Sequence, residues 1–201
     1  MGNPLVKERV EAANELTRYL ALQRKTIETH IELEQELSDL PRKLSYQKDL
    51  IKKCEADITF YQTNRRVYDK AERKALREDL FSEMKDNILM QTERQMLTYQ
   101  RFEIILPANM TAVKPFVWLQ KNGRYYVELS DSEVGGLVRI DNYLDNLPAH
   151  LNTLKERHRY LTSRRTAIRN ELANKQDYTD QIEKMKQRIA AIDEELGVNV
   201  K

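Results

Sequence analysis

Leu147–Leu172 reads LPAHLNTLKERHRYLTSRRTAIRNEL, and the spacing of its apolar residues decides the fold class. From Leu147 onward, the inward positions follow one another in steps that alternate strictly between four and three residues. This is the seam of a coiled-coil helix, because such steps keep all the positions on one face. Upstream, Ile140 and Leu144 lead into the seam. The seam positions are Leu147, Leu151, Leu154, His158, Leu161, Arg165, Ile168 and Leu172.

The same helix carries a surplus of positive charge. Between His150 and Lys175 there are seven Lys or Arg residues against Glu156 and Glu171, a local balance of +5. The whole chain has 34 basic and 32 acidic residues and a net charge of +2, so the remainder sums to −3. A helix with one face for packing and another with surplus charge is suited to binding phosphates or an acidic partner.

The composition favours long helices over a compact β fold. The 201 residues are 33% charged and 40% hydrophobic, with only 5 Gly and 5 Pro, as is typical of amphipathic helices. The near-zero net charge argues against a general nucleic-acid coat protein but not against a local basic site. Cys54 is the single cysteine, which excludes an internal disulfide and a Cys-rich zinc site. No stretch approaches the roughly 20 apolar residues that span a bilayer, and no signal-peptide pattern is present, so we expect a soluble cytoplasmic protein.

The N-terminal half is predicted to form three helices. The first spans 4–40 and packs along its length through an apolar stripe. Pro41 predicts a break, so that a second helix over 44–61 folds back on the first as an antiparallel hairpin. A turn at 63–66 precedes a third helix, roughly 70–96. The stripe of the first helix consists of Val6, Val10, Ala13, Leu16, Leu20, Ile27, Ile31 and Leu37.

A small antiparallel sheet is predicted in the middle of the chain. Residues 102–106 have the pattern of a strand, and Asn122-Gly123 predicts a two-residue hairpin turn between two further strands. With that turn, one side of the hairpin is apolar and packs against a helix, while Tyr126 lies on the opposite side beside Lys121 and Arg124. The residues of the apolar side are Phe116, Trp118, Gln120, Tyr125, Val127 and Leu129.

Helical periodicity returns after Gly135-Gly136, and a last helix, capped by Thr179 or Asp180, ends at Gly197. The chain is therefore predicted to be α+β and predominantly α. Antiparallel helical hairpins form a coiled-coil stalk, into which an antiparallel sheet of about three strands is inserted. The predicted domains are 1–98 (helical hairpin and third helix), 99–134 (sheet) and 135–201 (a helical hairpin that packs back on the N-terminal helices).

No stretch carries a catalytic signature. Gly135-Gly136 is not followed by the Lys-Ser/Thr of a phosphate-binding loop. The histidines lie apart from carboxylate or Cys partners at ligand spacing, and the acidic residues after the hairpin are interpreted as helix caps. We therefore expect no enzyme, no cofactor and no metal site. These residues are His30, His150, His158, Asp131, Glu133, Asp141 and Asp145.

Two interpretations of the basic helix remain open. Its cations contact phosphates, which makes affinity salt-dependent, or they pair with the glutamates of 28–36 as a solvated face. Tyr126 is the aromatic side chain expected to be exposed, whereas Trp118 and Tyr125 are expected in the core rather than as base-stacking platforms. The predicted nucleic-acid-binding residues are Lys155, Arg157, Arg159, Arg164, Arg169, Arg65, Arg66, Arg73, Lys121, Arg124 and Tyr126.

Several short motifs occur in the order found in one known module. GNPLVKE (2–8) opens the first helix, VYDKAE (67–72) opens the third, and RIDN (139–142) follows the β-hairpin and runs into Leu147-Pro148. In this order the chain resembles the C-terminal extension of the very large Swi/Snf-type helicase-like proteins of conjugative elements, plasmids and phages, which are often fused to an adenine-specific DNA methyltransferase. The resemblance spans nearly the whole chain and implies a mobile-element origin and a DNA-processing or DNA-defence context. The helicase and methyltransferase motifs are not in this sequence, so neither activity is carried over.

Two functions are consistent with these observations. One is a non-catalytic accessory module of a mobile-element helicase-like protein that contacts nucleic acid, or braces the helicase core on it. The other is a protein-interaction module, free-standing or fused, such as an inhibitor or scaffold that docks a coiled-coil surface on a host or partner enzyme. Heptads of this length close either within one chain or between two copies, so a homodimer also remains open.

Overall fold

The computed structural model describes residues 3–130, 132–174 and 176–198. These ranges contain five α-helices and one antiparallel sheet, which confirms an α+β fold that is predominantly α; the sheet has four strands instead of about three. None of the described helices is both long and apolar enough to cross a membrane. The helices are α1 (Pro4–Asn64), α2 (Lys70–Met90), α3 (Glu133–Asp145), α4 (Leu147–Ala173) and α5 (Thr179–Glu195), and the strands are β1 (Arg94–Tyr99), β2 (Phe102–Leu106), β3 (Phe116–Gln120) and β4 (Arg124–Glu128).

The chain forms two compact units. The first unit combines the chain up to Lys43 with the chain from Leu161 onward, and the second unit is Leu44–Tyr160. This division differs from the predicted segments 1–98, 99–134 and 135–201, because α1 and α4 each contribute to both units. In addition, β1 begins before the predicted start of the sheet segment.

In the first unit, α1 packs against α4 and α5. Leu33 and Leu40 of α1 form a buried cluster with Ile168 of α4. Towards the start of α1, Arg9 donates to Asp193 of α5. The backbone N–H of Tyr178, just before α5, donates to the Gln23 side chain at 2.8 Å. Later residues of α1 contact earlier residues of the C-terminal segment, so α1 runs antiparallel to α4 and α5.

For most of the first half of α1, the residues predicted to pack against other helices are wrong. Val6, Val10 and Ile31 are about half exposed, whereas Ala12 and Leu33 are buried. The reason is that α1 carries two stripes with the same periodicity, and α4 and α5 cover the one that begins at Ala12. Apolar periodicity alone does not distinguish a covered stripe from an uncovered one.

The predicted helix break at Pro41 is also wrong, and so is the N-terminal hairpin that depended on it. α1 continues through Pro41 to Asn64. Pro41 itself is exposed, while Leu40 and Leu44 on either side of it are buried. Burial of these leucines outweighs the loss of one backbone hydrogen bond at the proline.

The second unit is built around the inner face of the sheet. The strands are ordered β1-β2-β3-β4, each antiparallel to its neighbours. The inner face packs against α1, α2 and α3 in one continuous core. Its buried residues include Ile104, Val117, Leu119, Tyr125 and Val127 from the sheet, Cys54 and Tyr61 from α1, Leu80 and Met84 from α2, and Leu137, Ile140 and Leu144 from α3.

The predicted pairing of the β3–β4 hairpin is shifted by one residue. Gln120 pairs with Arg124 and Trp118 with Tyr126, so the loop contains three residues, 121–123, instead of two. This shift places Val117 and Leu119 on the inner face and moves Phe116 and Trp118 to the outer one, because side chains alternate along a strand. Tyr125, Val127 and Leu129 are buried as predicted, and Tyr126 is exposed.

The fourth strand lies where the third helix was expected to continue. α2 ends at Met90, where Gln91 adopts a left-handed conformation with φ of 49°. The next residues form β1, whose pairing with β2 shifts register between Gln95 and Leu97. That irregularity explains why the alternating pattern of a strand is not visible in 94–99.

The ends of the later helices follow the sequence signals in part. The Ser132 side chain caps α3 by accepting from the N–H of Gly135 at 3.1 Å. Gly197 has a φ of 68°, as expected for the residue that terminates α5. Neither Thr179 nor Asp180 caps α5, since Thr179 is already its first residue; Asp177 accepts from the N–H of Thr179 instead.

Candidate nucleic-acid interface

Two cations of the predicted basic helix are neutralised within their own units. In the first unit, Arg164 donates from Nη2 and Nε to the two carboxylate oxygens of Glu36, at 2.6 and 2.8 Å. This hydrogen bonding lowers the pKa of the Glu36 carboxyl. In the second unit, Lys155 Nζ lies 2.7 Å from a carboxylate oxygen of Glu55. For Arg164, the interpretation in which the helix pairs with the glutamates of 28–36 is therefore confirmed.

Two further predicted cations, both in the second unit, lie between the end of α1 and the start of α2. Arg65 forms an ion pair with Asp145 at 3.1 Å, and Arg66 forms one with Glu72. The Glu72 side chain also accepts from the N–H of Asp69, as part of the capping box that starts α2. Arg66 thus ties the turn to the start of α2, and Arg65 ties it to Asp145, the last residue of α3; both roles are structural.

Arg73 belongs to a partly buried network. Its guanidinium donates to Asp141 at 2.7 Å and to the hydroxyl of Tyr99 at 3.2 Å. The Tyr99 hydroxyl in turn donates to Asp141 at 2.6 Å. Burial, followed by the hydrogen bond to Asp141, raises the pKa of Tyr99 to about 12. Asp141 therefore links α3 to α2 and to β1, and it does not act as a helix cap.

Arg157, Arg159 and Arg169 remain exposed on α4. Within the described part of the chain, none of the three makes a hydrogen bond or an ion pair. Arg157 and Arg159 belong to the second unit and Arg169 to the first. Two other predicted positions, Lys175 of the basic count and Asp131 of the acidic cluster, lie outside the described residues, as does the side chain of Glu133.

The outer side of β3 and β4 carries a group of aromatic side chains, of which Tyr126 is exposed and Phe116 and Trp118 are half-buried. We call Phe116, Trp118, Tyr126 and Arg124 the aromatic face. The ring centroid of Tyr126 lies 4.7 Å from that of Phe116 and 5.8 Å from that of Trp118. The Arg124 guanidinium stacks over the Trp118 ring at 4.8 Å and forms an ion pair with Glu93 at 2.9 Å. Lys121, by contrast, lies over the ring of Phe60.

A pocket of about 370 Å³ adjoins the aromatic face within the second unit. Tyr46 of α1 and His150 of α4 lie on its wall, and Tyr46 is 64% exposed. The His150 ring packs edge-on against Tyr125, with centroids 5.7 Å apart. We call this the aromatic pocket. It is lined by Tyr46, Leu50, Trp118, Gly123, Arg124, Tyr125, Tyr126, Tyr143, His150 and Leu154.

The interior of the aromatic pocket is largely uncharged near neutral pH. Burial raises the pKa of Tyr143 to about 12, and it lowers the pKa of His150 below its ordinary 6.5. Burial and a hydrogen bond to Asp57 raise the pKa of Tyr125. Arg124 is the charged side chain among the described lining residues. A neutral pocket with several ring walls and a guanidinium at its edge suits a planar ring that carries negative charge nearby.

A buried carboxylate fixes the hairpin that presents this site. Asp57 of α1 is fully buried, and it accepts from the backbone N–H groups of Asn122 and Gly123 at 3.1 and 2.7 Å. It also accepts from the Asn122 side chain at 2.7 Å and from the Tyr125 hydroxyl at 2.6 Å. These four bonds hold the three-residue loop in place, and with it the register that turns Trp118 outward.

The structure brings together only part of the predicted site. Arg124 and Tyr126 lie on the aromatic face, whereas Trp118 was assigned to the core and Tyr46 was not considered. The sequence does not indicate which side of β3 faces outward, because residues 116–119 are all apolar and either side is suited to the core. The exposed position of Tyr46 is visible only once α1 is known to be continuous.

The chain was also compared with protein-family models, with curated proteins and with solved structures, and none of the three comparisons found a match.

Proposed function

We propose that this chain is a non-catalytic accessory module that contacts nucleic acid, and that the contact is made by the aromatic face and the aromatic pocket. The observation that carries the proposal is the cluster of half-buried Trp118 with exposed Tyr126 and Arg124 beside a neutral, ring-lined pocket. Bases stack on such aromatic side chains irrespective of sequence, because every base has a π face. The occupant we propose is therefore single-stranded DNA or RNA.

One unpaired cation of the second unit, Arg157, supplies the electrostatic part of the contact. Arg157 follows the pocket residue Leu154 on α4 by three residues, roughly one helical turn. Arg157 and Arg159 are exposed and are not neutralised by a described acidic residue. Arg157 is suited to a phosphate beside the pocket, unlike Lys155, which forms an ion pair with Glu55. Arg159 lies roughly 140° around the helix from Leu154 and so faces away from the pocket. The basic helix thus contributes Arg157 to the proposed interface, and not its whole surplus of charge.

The biological setting proposed for this contact comes from the resemblance to the C-terminal extension of mobile-element helicase-like proteins. A module that holds single strands would keep separated DNA in the reach of such a helicase core. The alternative, a module that docks on a partner protein, is favoured by a different observation, the exposed apolar residues of α1.

Trp118 is the only tryptophan of the chain, so its fluorescence reports directly on the proposed site. We expect oligonucleotides to quench it in a saturable titration, with tighter binding at low salt. Single strands should bind more tightly than duplexes, because their bases are free to stack. Replacing Tyr126 with Ala should weaken binding by roughly 5- to 150-fold, which corresponds to about 1–3 kcal/mol for one stacked base. The matched control is Tyr160→Ala, which removes an exposed tyrosine outside the pocket.

The contribution of Arg157 is tested through the salt dependence. Arg157→Ala should reduce the slope of log K against log salt by about 0.7, the contribution of one phosphate contact to a single strand. Lys184→Ala removes the same charge from an exposed position on α5 and should leave the slope near its original value. Equal effects of the two changes, or no quenching at low salt, would reject the proposed interface.

A further inference from the structure

The first half of α1 carries two apolar stripes, of which one is covered and one is not. Both have steps that alternate between four and three residues, and the second is displaced from the first by one position, roughly 100° around the helix. The covered stripe is buried or half-buried, and it consists of Ala12, Leu16, Tyr19, Gln23, Thr26, His30, Leu33, Leu37 and Leu40. The second, which we call the open stripe, consists of Val6, Val10, Ala13, Thr17, Leu20, Arg24, Ile27 and Ile31.

The large apolar residues of the open stripe are half exposed over a long distance. Val6, Val10, Leu20, Ile27 and Ile31 are between 44% and 52% exposed. At 1.5 Å per residue, the stripe from 6 to 31 is roughly 38 Å long. Isolated apolar residues are common on protein surfaces, but a continuous stripe in heptad spacing is the seam of a helix–helix interface.

We propose that the open stripe binds the open stripe of a second copy of this chain, with the two helices antiparallel. In one antiparallel register, each residue of the open stripe lies opposite another residue of the open stripe in the second copy. In this register the numbers of two opposed residues, which form one layer, add up to 37. Its layers are Val6 with Ile31, Val10 with Ile27, Ala13 with Arg24, and Thr17 with Leu20. Because the pair is symmetric, each layer occurs twice.

The polar members of the open stripe favour this register. Arg24 lies opposite the small side chain of Ala13, which leaves room for its stem, and it already pairs with Glu28 at 3.0 Å. The Thr17 hydroxyl donates to the carbonyl of Ala13 at 2.9 Å, so it requires no partner from outside. A parallel pair in register would instead oppose Arg24 to Arg24, which is repulsive.

Charge complementarity points to the same arrangement. Lys7 and Glu28 flank the open stripe on the side away from the covered stripe, at equivalent heptad positions near its two ends. In the antiparallel register, Lys7 of one copy comes beside Glu28 of the other, once at each end. Both side chains are largely exposed in the single chain, and the ion pairs they make with other described residues are within their own helix. Lys7 and Glu28 are therefore already accessible to a second copy, without any rearrangement of the single chain.

The test uses the full chain and measures its mass across a concentration series by sedimentation equilibrium. We expect a reversible dimer. Val10→Glu should weaken self-association at least tenfold, because it places a carboxylate in two apolar layers. Val67→Glu, at a position 92% exposed and outside the stripe, is the matched control and should leave the dimer intact. Circular dichroism checks that each variant retains its helix content.

The orientation is tested by mixing two variants. Ile27→Lys alone should also weaken the dimer, but a mixture of Val10→Glu and Ile27→Lys chains should associate again, since the antiparallel register sets the new carboxylate against the new ammonium. A parallel, in-register dimer would set the carboxylate against Val10 and the ammonium against Ile27, so the mixture would not regain the affinity of the original dimer. A chain that stays monomeric, a dimer that Val10→Glu leaves unchanged, or a mixture without rescue would overturn the proposal, as would a partner protein covering the stripe of a monomeric chain.

Discussion

At the scale of single residues, Asp57 determines the conformation of the β3–β4 loop. Its carboxylate reaches the β3–β4 loop from a helix 65 residues earlier in the chain and satisfies four donors there. Asn122-Gly123 by itself favours a two-residue turn. The buried acceptor selects the wider loop, and through it the side of the strand on which Trp118 lies. The sequence predicted the position of the turn but not its length, because the acceptor that selects the longer loop is distant in the chain.

Replacing Asp57 with Ala should therefore destabilise the protein strongly. The change leaves buried N–H and hydroxyl donors without an acceptor, which costs about 3 kcal/mol or more in the free energy of unfolding. Urea denaturation measures this change. Asp49→Ala is the matched control on the same helix, because Asp49 forms only an exposed pair with Lys53 and should contribute within about 0.5 kcal/mol. Equal midpoints for the two variants would contradict the role given to Asp57.

His150 makes stability depend on pH in a defined window. Burial lowers its pKa in the folded protein below the 6.5 of the unfolded chain, so the unfolded state binds the proton more readily. The stabilising contribution is complete above pH 6.5 and is lost as the pH falls through the lower, folded value. We expect the free energy of unfolding to decline from pH 7.5 to 5.5, and this decline to be smaller in His150→Gln. An unchanged decline in that variant would exclude His150 as its source.

At the scale of elements, the continuity of α1 was the feature that sequence signals misjudged. Pro41 was taken as a break, although the apolar spacing continues through it from Leu37 and Leu40 to Leu44. The break signal is a local preference of the backbone, whereas the spacing reports burial over many turns. Where the two conflict, burial of the flanking leucines decides the outcome. The helix–helix seam of α4 had no such conflict, and its periodicity was interpreted correctly.

The proline still has a measurable cost inside α1. Pro41→Ala restores one N–H to the helix ladder at an exposed position and should raise the free energy of unfolding by about 2 kcal/mol, within the roughly 3 kcal/mol difference between Pro and Ala in helix interiors. Pro148 provides the control, because it is the second residue of α4, where no N–H is needed. Thermal unfolding of Pro41→Ala and Pro148→Ala should show a gain only for the first. A gain of the same size in both would contradict this explanation.

In the sheet, one strand and the register of two others were not predicted from the sequence. Three of its strands were anticipated, but the irregular pairing of β1 concealed the fourth. The candidate site depended on the register of β3 and β4, so an error of one residue exchanged its inner and outer faces. Tyr126 was expected outside and is outside, while Trp118 was expected inside and is not.

At the scale of the whole molecule, the sequence gives the number of charged residues but not which of them form ion pairs within the protein. The surplus on α4 was real, yet Arg164 and Lys155 are neutralised by Glu36 and Glu55, residues more than 90 positions away in the chain. Which cations remain for a partner depends on tertiary pairing. Arg157 and Arg159 remain unpaired among the described residues, and the proposed nucleic-acid contact depends on Arg157.

The composition of the first unit has a consequence for synthesis of the chain on the ribosome. Arg9 and its partner Asp193 are 184 residues apart, whereas the second unit is one uninterrupted segment. At about 5–20 residues per second, roughly 10–40 s pass between the translation of these two residues. The second unit is complete once Tyr160 has been translated, whereas the covered stripe of the first forty residues still lacks its partner α5 at that point. Until α5 follows, both stripes of the nascent chain are open to chaperones and to neighbouring nascent copies on the same message.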